Sequence, residues 1–253
     1  MTLQAPAYLS PSSVGTFQQC PLRFKYSRID KIPEPPTIHT MLGNFVHEIL
    51  EDLYSFDAKD RTLPVARSIA RDKWDNKYSV ETKQLNIDDH DFRWKAWWCV
   101  ENLWKCEEPT EVNLESVEFE INGEIHGVQI KGFVDRFQKD ENGKIVIEDY
   151  KTGKVPNPRF TDDKFQQLLI YAVMLEELGI GETSEIRLMY LVAPKILSKA
   201  VDNQARKKTI KTLVDTKASV DQFCEEGVFP TKAGPLCNWC TFKKICPAWK
   251  TKK

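Results

Sequence analysis

Residues 132–151 read GFVDRFQKDENGKIVIEDYK, two apolar strands whose pattern is interrupted by Asp135 and Asp149. Alternate residues of a strand share one face, so Asp149 lies on the same side as Ile147. A charge among apolar neighbours is costly unless it is paired or bound to a metal ion. Because Lys151 follows the second acid by two residues, this stretch indicates a cation site at the strand ends and not a plain hydrophobic core.

The flanking sequence predicts that these strands are neighbours in a three-stranded antiparallel meander. Residues 112–121 alternate with a period near two, and Asn122-Gly123 then supplies the strongest short signal for a hairpin turn. We expect the second strand over 124–137 and, after a polar turn, the third strand over 144–151. This arrangement can bring the two acids to the same end of adjacent strands.

Helices precede and follow the meander in the sequence. The apolar stripe of residues 41–54 predicts an amphipathic helix, with His47 beside the stripe. Residues 165–178 predict a second helix that stops at two nearby glycines. Residues 184–192 predict a buried strand that ends before Pro194. The order of helix, three strands, helix and strand indicates the α/β class.

The stretch 57–109 is predominantly helical by its pattern and is rich in tryptophan. Its tryptophans are Trp74, Trp94, Trp97, Trp98 and Trp104. Tryptophans at helical spacing are most often part of a core. The alternative is a stacking platform for unpaired bases, where each stacked base contributes about 1–3 kcal/mol.

Four short motifs lie on these elements. In chain order they are Gly43-x-x-x-His47, Gly132-Phe133-Val134-Asp135, Asp149-Tyr150-Lys151-Thr152-Gly153 and Gln167-x-x-x-Tyr171. Together they resemble the PD-(D/E)XK nuclease superfamily and, within it, the RecB-like branch. The resemblance implies a nuclease core of helix, three-stranded meander, helix and strand, with a helical insertion.

The resemblance also implies a set of metal ligands. Asp135 and Asp149 would bind one or two Mg²⁺ or Mn²⁺ ions, since hard cations prefer oxygen ligands. His47 would supply an imidazole ligand, and the Tyr150 carbonyl a further oxygen. A site that includes a histidine often tolerates or favours Mn²⁺, because imidazole suits softer metals than Mg²⁺.

The remaining motif residues complete the catalytic set that the resemblance implies, together with the two acids. Lys151 would orient the attacking water or neutralise the charge that develops on the phosphate. Gln167 and Tyr171 are neighbours on one helix face, and in the family that face supports the site and touches the nucleic acid. They could also simply hydrogen-bond the helix to the sheet.

The cysteines supply a second signal. Cys20 lies near the start of the chain, and Cys237-x₂-Cys240-x₅-Cys246 lies near its end, which together indicate a metal clasp joining the terminal segments. By spacing alone, Zn²⁺ and an iron–sulfur cluster both fit. The other cysteines have no ligand-like spacing and are expected to be small buried residues. They are Cys99, Cys106 and Cys224.

The resemblance favours the iron–sulfur cluster. The segment SPSSVGTFQQCPLRF at residues 10–24, paired with the C-terminal cysteine pattern, is similar to the clasp of the AddB-type and CRISPR-adaptation nucleases. It implies a structural [4Fe–4S] cluster that ties the terminal segments together beside the nucleic-acid channel. The implied cluster ligands are Cys20, Cys237, Cys240 and Cys246.

These expectations divide one nuclease unit, 1–253, into three parts. The catalytic core takes 40–56 and 112–195, the helical insertion takes 57–111, and the clasp with a nucleic-acid-binding lobe takes 1–39 and 196–253. The formal net charge is −1, so the overall charge of the chain gives no indication of a DNA partner. No Walker-type phosphate loop is present, so we expect no ATP motor in this chain.

The expected function is that of a Mg²⁺- or Mn²⁺-dependent deoxyribonuclease, an exonuclease on single-stranded DNA or DNA ends. A CRISPR-adaptation end-trimming nuclease would use the same chemistry with partner proteins, and a non-catalytic nucleic-acid-binding module would keep the same fold. A homo-oligomer or a recombination partner is compatible with the resemblance. Neither a signal peptide nor a membrane span is recognisable, so we expect a cytoplasmic, intracellular protein without disulfides.

Overall fold

A five-stranded mixed sheet is the centre of the computed structural model, which describes residues 2–250. The first three strands are antiparallel, the third and fourth are parallel, and the last two are antiparallel. This topology confirms the expected α/β class and the three-stranded meander. In spatial and chain order, the strands are β1 (Leu114–Ile125), β2 (Val128–Lys139), β3 (Ile145–Lys151), β4 (Thr183–Tyr190) and β5 (Lys195–Ala200).

Helices pack around this sheet in two groups. The helices are α1 (Pro11–Gln19), α2 (Pro21–Phe24), α3 (Ile38–Tyr54), α4 (Leu63–Lys73), α5 (Ser79–Gln84), α6 (Asp89–Leu103), α7 (Gln166–Glu177), α8 (Asn203–Glu226) and α9 (Pro247–Lys250). The π-helical turn Trp74–Tyr78 joins α4 to α5. The helices predicted over 41–54 and 165–178 correspond to α3 and α7. No helix within residues 2–250 combines the length and the apolar character that crossing a membrane requires.

Two hydrophobic cores result from this packing. One contains α7 and parts of α1 and α8, and the other contains α3, α4 and α6. Leu188 and Met189 are adjacent on β4 and belong to different cores, because alternate strand residues point to opposite faces. The sheet therefore carries a buried helical layer on each face. The apolar stripe of α3, whose members Phe45, Val46 and Ile49 are fully buried, orients this helix against one of those faces.

The turn of the β1–β2 hairpin lies at His126-Gly127, so the turn predicted at Asn122-Gly123 is wrong. His126 (φ 48°) and Gly127 (φ 81°) both adopt the left-handed conformation that a type I′ turn needs. Asn122 and Gly123 lie inside β1 instead. A Cβ atom on Gly123 would lie 3.0 Å from Leu178 Cδ2. This glycine therefore permits close packing against the end of α7.

Strand β5 was not predicted from the sequence. The strand predicted over 184–192 corresponds to β4, and the chain then turns at 191–194 and returns as β5 along the edge of the sheet. Most residues of β5 are exposed, so they lack the apolar signal that marks a buried strand. The sheet consequently continues through Ala200, beyond the residue at which the catalytic core was expected to end.

The stretch 57–109 is helical, as predicted, but its tryptophans fall into different environments. Trp74 is buried among Phe45, Tyr78 and Phe92, which confirms the core interpretation for this residue. Trp97 and Trp104 are partly buried against the same core. By contrast, Trp94 is 59% exposed and Trp98 is 40% exposed. The periodicity of the sequence could not separate these environments, because they depend on which faces α3 and α4 cover.

The two terminal segments pack against each other. The backbone N–H of Leu22 donates to the Pro230 carbonyl at 3.1 Å, and the Thr241 hydroxyl donates to Glu34 at 2.8 Å. The centroids of the Tyr26 and Phe242 rings are 5.4 Å apart. The N-terminal segment thus contacts the C-terminal tail through both polar and aromatic groups. Met1 and residues 251–253, which belong to the expected terminal lobe, lie outside the described residues.

Candidate active site

The pairing of β2 with β3 brings Asp135 beside Asp149, which lies near the C-terminal end of β3. Arg136 pairs with Glu148 in the antiparallel register, so the next step along each strand places Asp135 opposite Asp149. The backbone N–H of Tyr150 donates to Asp135 Oδ2 at 3.0 Å and orients that carboxylate. The Asp149 residue is only 4% exposed. Two nearly buried acids on adjacent strands are the arrangement that the alternation of the sequence predicted.

Helix α3 adds His47 to this pair. The Nδ1 atom of His47 is 3.3 Å from Asp135 Oδ2, and its Nε2 atom is 2.9 Å from the Tyr150 carbonyl oxygen. Burial alone would lower the pKa of His47, but the hydrogen bond and charge of Asp135 outweigh it and raise the pKa to about 9. Burial opposes ionisation of Asp135, yet His47 and the Tyr150 N–H hold its pKa below the usual value. The imidazole therefore bridges the Asp135 carboxylate and the Tyr150 carbonyl.

Lys151 lies beside Asp149 as an ion pair on the same strand face. Burial raises the pKa of Asp149 to about 6, against the opposing effect of the Lys151 charge. Burial would lower the pKa of Lys151, but the neighbouring Asp149 outweighs it and raises that pKa. The lysine is therefore held as a cation, with its side chain about one-third exposed, at the open edge of the acidic pair.

Gln167 and Tyr171 lie on α7, next to strand β2. The Gln167 amide nitrogen donates to the Tyr171 hydroxyl at 3.2 Å. A Cβ atom on Gly132 would lie 3.1 Å from Tyr171 Cε1, so the glycine that opens the motif allows this ring to approach β2. Burial raises the pKa of Tyr171 to about 12. The pair packs α7 against the strand that carries Asp135.

Glu118 joins the site although no sequence motif marked it. Val117 pairs with Arg136 and Phe119 with Val134, so the register places Glu118 opposite Asp135. The ligand atoms of Glu118, His47 and Asp135 all lie within 4.8 Å of one another. Burial, followed by the charge of Asp135, raises the pKa of Glu118 to about 7. Only the pairing of β1 with β2 could reveal this residue.

The backbone of Glu118 is unusual for a strand residue. Its φ angle is 45°, in the left-handed region that L residues other than Asn and Asp rarely adopt. Such conformations cost of order 1–3 kcal/mol and cluster at functional sites. A residue in the middle of β1 therefore departs from strand geometry at the position that faces Asp135.

An open cavity of about 330 Å³ leads to these side chains. Its lining residues are Asn44, His47, Glu48, Glu51, Glu118 and Asp135. Glu48 accepts hydrogen bonds from Lys77 at 2.6 Å and from Tyr78 at 2.8 Å, so it is already partnered. Carboxylate oxygens, an imidazole and a backbone carbonyl are donors that fit a divalent cation such as Mg²⁺ or Mn²⁺. The donor set is therefore suited to a metal centre.

The opposite strand face carries a different cluster. Arg136 is fully buried, its Nε atom is 2.8 Å from Glu148, and its terminal nitrogens lie 2.7 Å and 2.5 Å from the two carboxylate oxygens of Glu107. Its guanidinium lies over the rings of Tyr54 and Tyr150. Glu148 is thus held by arginines on this face, away from Asp135 and Asp149.

The clasp cysteines are four partly buried free thiols. Cys20 and Cys246 both lie near Tyr26, whose pKa is raised mainly by burial and further by their charges. Across residues 2–250, no three of the cysteine sulfurs lie within 4.8 Å of one another. Cys99 and Cys224 are buried, as expected, and Cys106 is partly buried. The terminal segments that carry the four thiols are in contact, but the structure does not gather the sulfurs into a closed site.

This combination of sheet, acids and lysine can be compared with known proteins. Residues 8–247 match the family model of the PD-(D/E)XK nuclease superfamily. The chain belongs to this superfamily. Nucleases of the PD-(D/E)XK superfamily use divalent metals, which agrees with the acidic groups of the site.

Two relatives and one solved structure are similar to this chain over nearly its whole length. The Gene 69 protein of Mycobacterium phage D29 is 24% identical over 278 residues, covering 95% of this chain and 97% of that protein. The Gene 69 protein of Mycobacterium phage L5 is 23% identical over 296 residues, covering 95% and 96%. A crystal structure of a protein from Eubacterium rectale, provisionally named an exonuclease, matches with a TM-score of 0.59 at 8% identity over 97% of this chain and 88% of that one. At that identity the likeness concerns the fold alone.

Proposed function

We propose that this PD-(D/E)XK protein is a RecB-like, Mg²⁺- or Mn²⁺-dependent deoxyribonuclease that digests single-stranded DNA or DNA ends exonucleolytically. The observation that carries the proposal is the clustering of His47, Asp135, Asp149 and Lys151 on the inner strands β2 and β3 and the adjacent helix α3. A purely structural ion cluster would be closed to solvent, whereas this one opens into a cavity lined by further carboxylates.

The residues that would hold the cation are Asp135, Asp149, His47 and the carbonyl of Tyr150, with Glu118 as a further carboxylate nearby. When bound, the cation would supply Lewis-acid stabilisation of the scissile phosphate and lower the pKa of the attacking water. His47 must lose a proton to act as a ligand, because a protonated imidazole has no free lone pair. Asp135, which now pairs with His47, would then turn its charge toward the cation.

Lys151 would act on the phosphate through its charge. Asp149 raises the pKa of Lys151, so the side chain keeps its proton at Nζ at neutral pH and cannot serve as a general base. A fixed ammonium group can instead neutralise the negative charge that builds up on the phosphate oxygens. Gln167 and Tyr171 would position β2 through the packing of α7. The exposed side of Gln167 would contact the DNA strand.

For the clasp, we propose a structural [4Fe–4S] cluster on Cys20, Cys237, Cys240 and Cys246. The free thiols, the packing of the tail on the N-terminal segment and the resemblance of the cysteine pattern support it. Thiolates are the ligands that iron–sulfur clusters require. Anaerobic purification should give a brown protein with iron and acid-labile sulfide in equal amounts. A colourless protein that instead contains zinc would contradict the cluster.

The test of the nuclease is a cleavage time course on single strands labelled at the 5′ or the 3′ end, with Mg²⁺ or Mn²⁺. We expect stepwise shortening that disappears in Asp149→Ala. The matched control is Lys154→Ala, which removes an exposed lysine three residues beyond Lys151. Retained binding without shortening, with either metal, would contradict an exonuclease that acts alone and favour a non-catalytic binding module or an end-trimming nuclease that needs a partner.

A further inference from the structure

A second cavity, of about 620 Å³, lies between α4 and α6 on the far side of α3 from the acidic site. Its lining residues are Phe45, Ile49, Arg67, Ala70, Arg71, Trp74, Asp89, His90, Arg93, Trp94 and Trp97. We call this cavity the tryptophan–arginine groove. Its size falls in the range of about 300–1,000 Å³ that is usual for small-ligand sites.

The groove has an apolar floor and a cationic rim. Phe45, Ile49 and Trp74 are buried and form the floor. Three arginines and one aspartate, Asp89, line the cavity, which leaves two formal positive charges in a chain whose net charge is −1. Charge of this sign at the mouth of an aromatic cavity complements a ligand with a flat apolar face and an anionic backbone.

The aromatic rings of the rim are held in place. The rings of Trp94 and Trp98 stack at 5.6 Å with an interplanar angle of 13°, and the indole N–H of Trp98 donates to the Val192 carbonyl at 3.2 Å. Trp94 therefore rests on an anchored neighbour although 59% of it is exposed. A large exposed aromatic residue that is already ordered loses little conformational entropy when a base stacks on it.

The arginines of the rim are available to a ligand. Arg93 lies over the Trp74 ring at 5.1 Å, and Arg67 lies over Trp97 at 4.7 Å with an ion pair to Glu101 as long as 3.8 Å. Within residues 2–250, Arg71 has no ion-pair partner. Guanidinium groups that are not committed to carboxylates can bind phosphates.

We propose that the tryptophan–arginine groove binds an unpaired segment of single-stranded DNA, with a base stacked on Trp94 and phosphates on Arg71 and Arg93. The choice of this ligand rests on the proposed function. Phe45 and Ile49 point into the groove, while Asn44, Glu48 and Glu51 of the same helical turns line the acidic cavity. The two cavities are thus separated by about the 10–12 Å width of one helix, so one strand can reach both.

The test measures binding of end-labelled oligothymidylate to the full chain in EDTA, where no cleavage occurs. Loss of one stacked base should weaken binding about 5- to 150-fold in Trp94→Ala, while Trp94→Phe should retain most of the affinity. Phe56→Ala removes an aromatic residue that is exposed outside the groove and should change nothing. Equal affinity of Trp94→Ala and the wild type would overturn the proposal.

The salt dependence of binding tests the proposed contact between Arg71 and a phosphate. Arg71→Gln should reduce the steepness of the plot of log affinity against log salt by about 0.7, the value for one contact to a single strand. Lys95→Gln, an equal loss of charge at an exposed position of α6 outside the groove, should leave the slope unchanged. Equal slopes for Arg71→Gln and Lys95→Gln would overturn this contact.

Two further measurements, binding to duplex DNA and cleavage by the wild type, distinguish a failure of the groove proposal from a failure of the nuclease proposal. Blunt duplex hides its base faces, so Trp94→Ala should not weaken duplex binding, and equal weakening on both substrates would overturn stacking in the groove. If the wild type cleaves nothing but binds oligothymidylate through Trp94, the groove stands and the nuclease fails. If the wild type cleaves and Trp94→Ala binds normally, the nuclease stands and the groove fails.

Discussion

The two ion clusters on β2 and β3 are built from adjacent residues but differ in their balance of charge. Arg136 and Glu148 belong to a closed cluster, in which the buried guanidinium meets two carboxylates and two tyrosine rings. Asp135 and Asp149, one residue away on each strand, contact His47 and Lys151 respectively, and both His47 and Asp135 line an open cavity. The closed cluster stabilises the strand pairing, and the open one has donors left for a cation.

The pKa values express the same difference. In the open cluster, burial raises the pKa of Asp149 to about 6 and that of Glu118 to about 7, so the protein without metal holds these acids at an energetic cost. An excess of carboxylates that is poorly compensated by the protein itself is compensated by a divalent cation. The comparison therefore predicts that changes on one face affect folding and changes on the other affect metal binding and cleavage.

Arg136→Met should have the largest effect, and its effect should be on folding. It leaves Glu107 and Glu148 without their buried partner, which should lower the free energy of unfolding by about 3–5 kcal/mol. Urea unfolding monitored by circular dichroism measures this loss. Arg187→Gln is the matched control, because Arg187 also contacts Glu148, at 3.1 Å, but is partly exposed. Equal losses in both variants would contradict a special role for the closed cluster.

Lys151→Ala should change cleavage and leave folding nearly unchanged. Removal of one fixed charge from the reacting phosphate should lower the cleavage rate about 100- to 1,000-fold. Single-turnover cleavage of labelled DNA measures the rate, and urea unfolding checks the fold. A variant that unfolds as easily as Arg136→Met would show that the open cluster is structural instead.

Glu118→Gln should lower the affinity for Mn²⁺ by about 10- to 100-fold, by analogy with the removal of groups that surround metal ligands. Without metal, the same variant should be at least as stable as the wild type at pH 8, because it removes a charge that burial and Asp135 disfavour. Isothermal titration with Mn²⁺ and unfolding in EDTA give the two values. Unchanged Mn²⁺ affinity would exclude Glu118 from the metal centre.

The open cluster should also make stability depend on pH. The folded pKa values of Asp149, Glu118 and His47, about 6, 7 and 9, lie above their unfolded values of about 3.9, 4.3 and 6.5. Such groups favour folding when protonated, so the metal-free protein should lose stability as pH rises from about 4 to 9. Metal binding requires the deprotonated ligands, so Mn²⁺ affinity should rise over the same range.

Unfolding in EDTA measures how stability changes with pH, and titration with Mn²⁺ measures how metal affinity changes with pH. Both are performed at pH 6, 7 and 8, within the window set by these pKa values. Glu118→Gln should flatten both, because it removes one of the titrating groups. Stability in EDTA that increases with pH across this range would contradict the charge balance assigned to the open cluster.

Much of the fold was predictable because its signals are local. Strand alternation indicated β2 and β3, the apolar stripe indicated α3, and glycines near the end of α7 indicated its limit. The hairpin turn was misplaced because Asn122-Gly123 is a good turn sequence that tertiary packing uses differently. The edge strand β5 was missed because it lacks a buried face.

The amino-acid sequence by itself determined which side chains are available to the site and the strand or helix that carries each of them. It placed Asp135, Asp149 and Lys151 on strands and His47 on a helix, since two- and 3.6-residue periods are properties of neighbouring residues. Membership of the nuclease superfamily agrees with that pattern.

Only the tertiary structure decided which of these groups meet. The register of β1 against β2 brings Glu118 opposite Asp135, and the packing of α4 and α6 against α3 leaves Trp94 exposed while burying Trp74. Both outcomes depend on contacts between residues distant in the chain, and no local period encodes such contacts. For the same reason, Arg136 could be assigned to the closed cluster only when Glu107, 29 residues away, was found beside it.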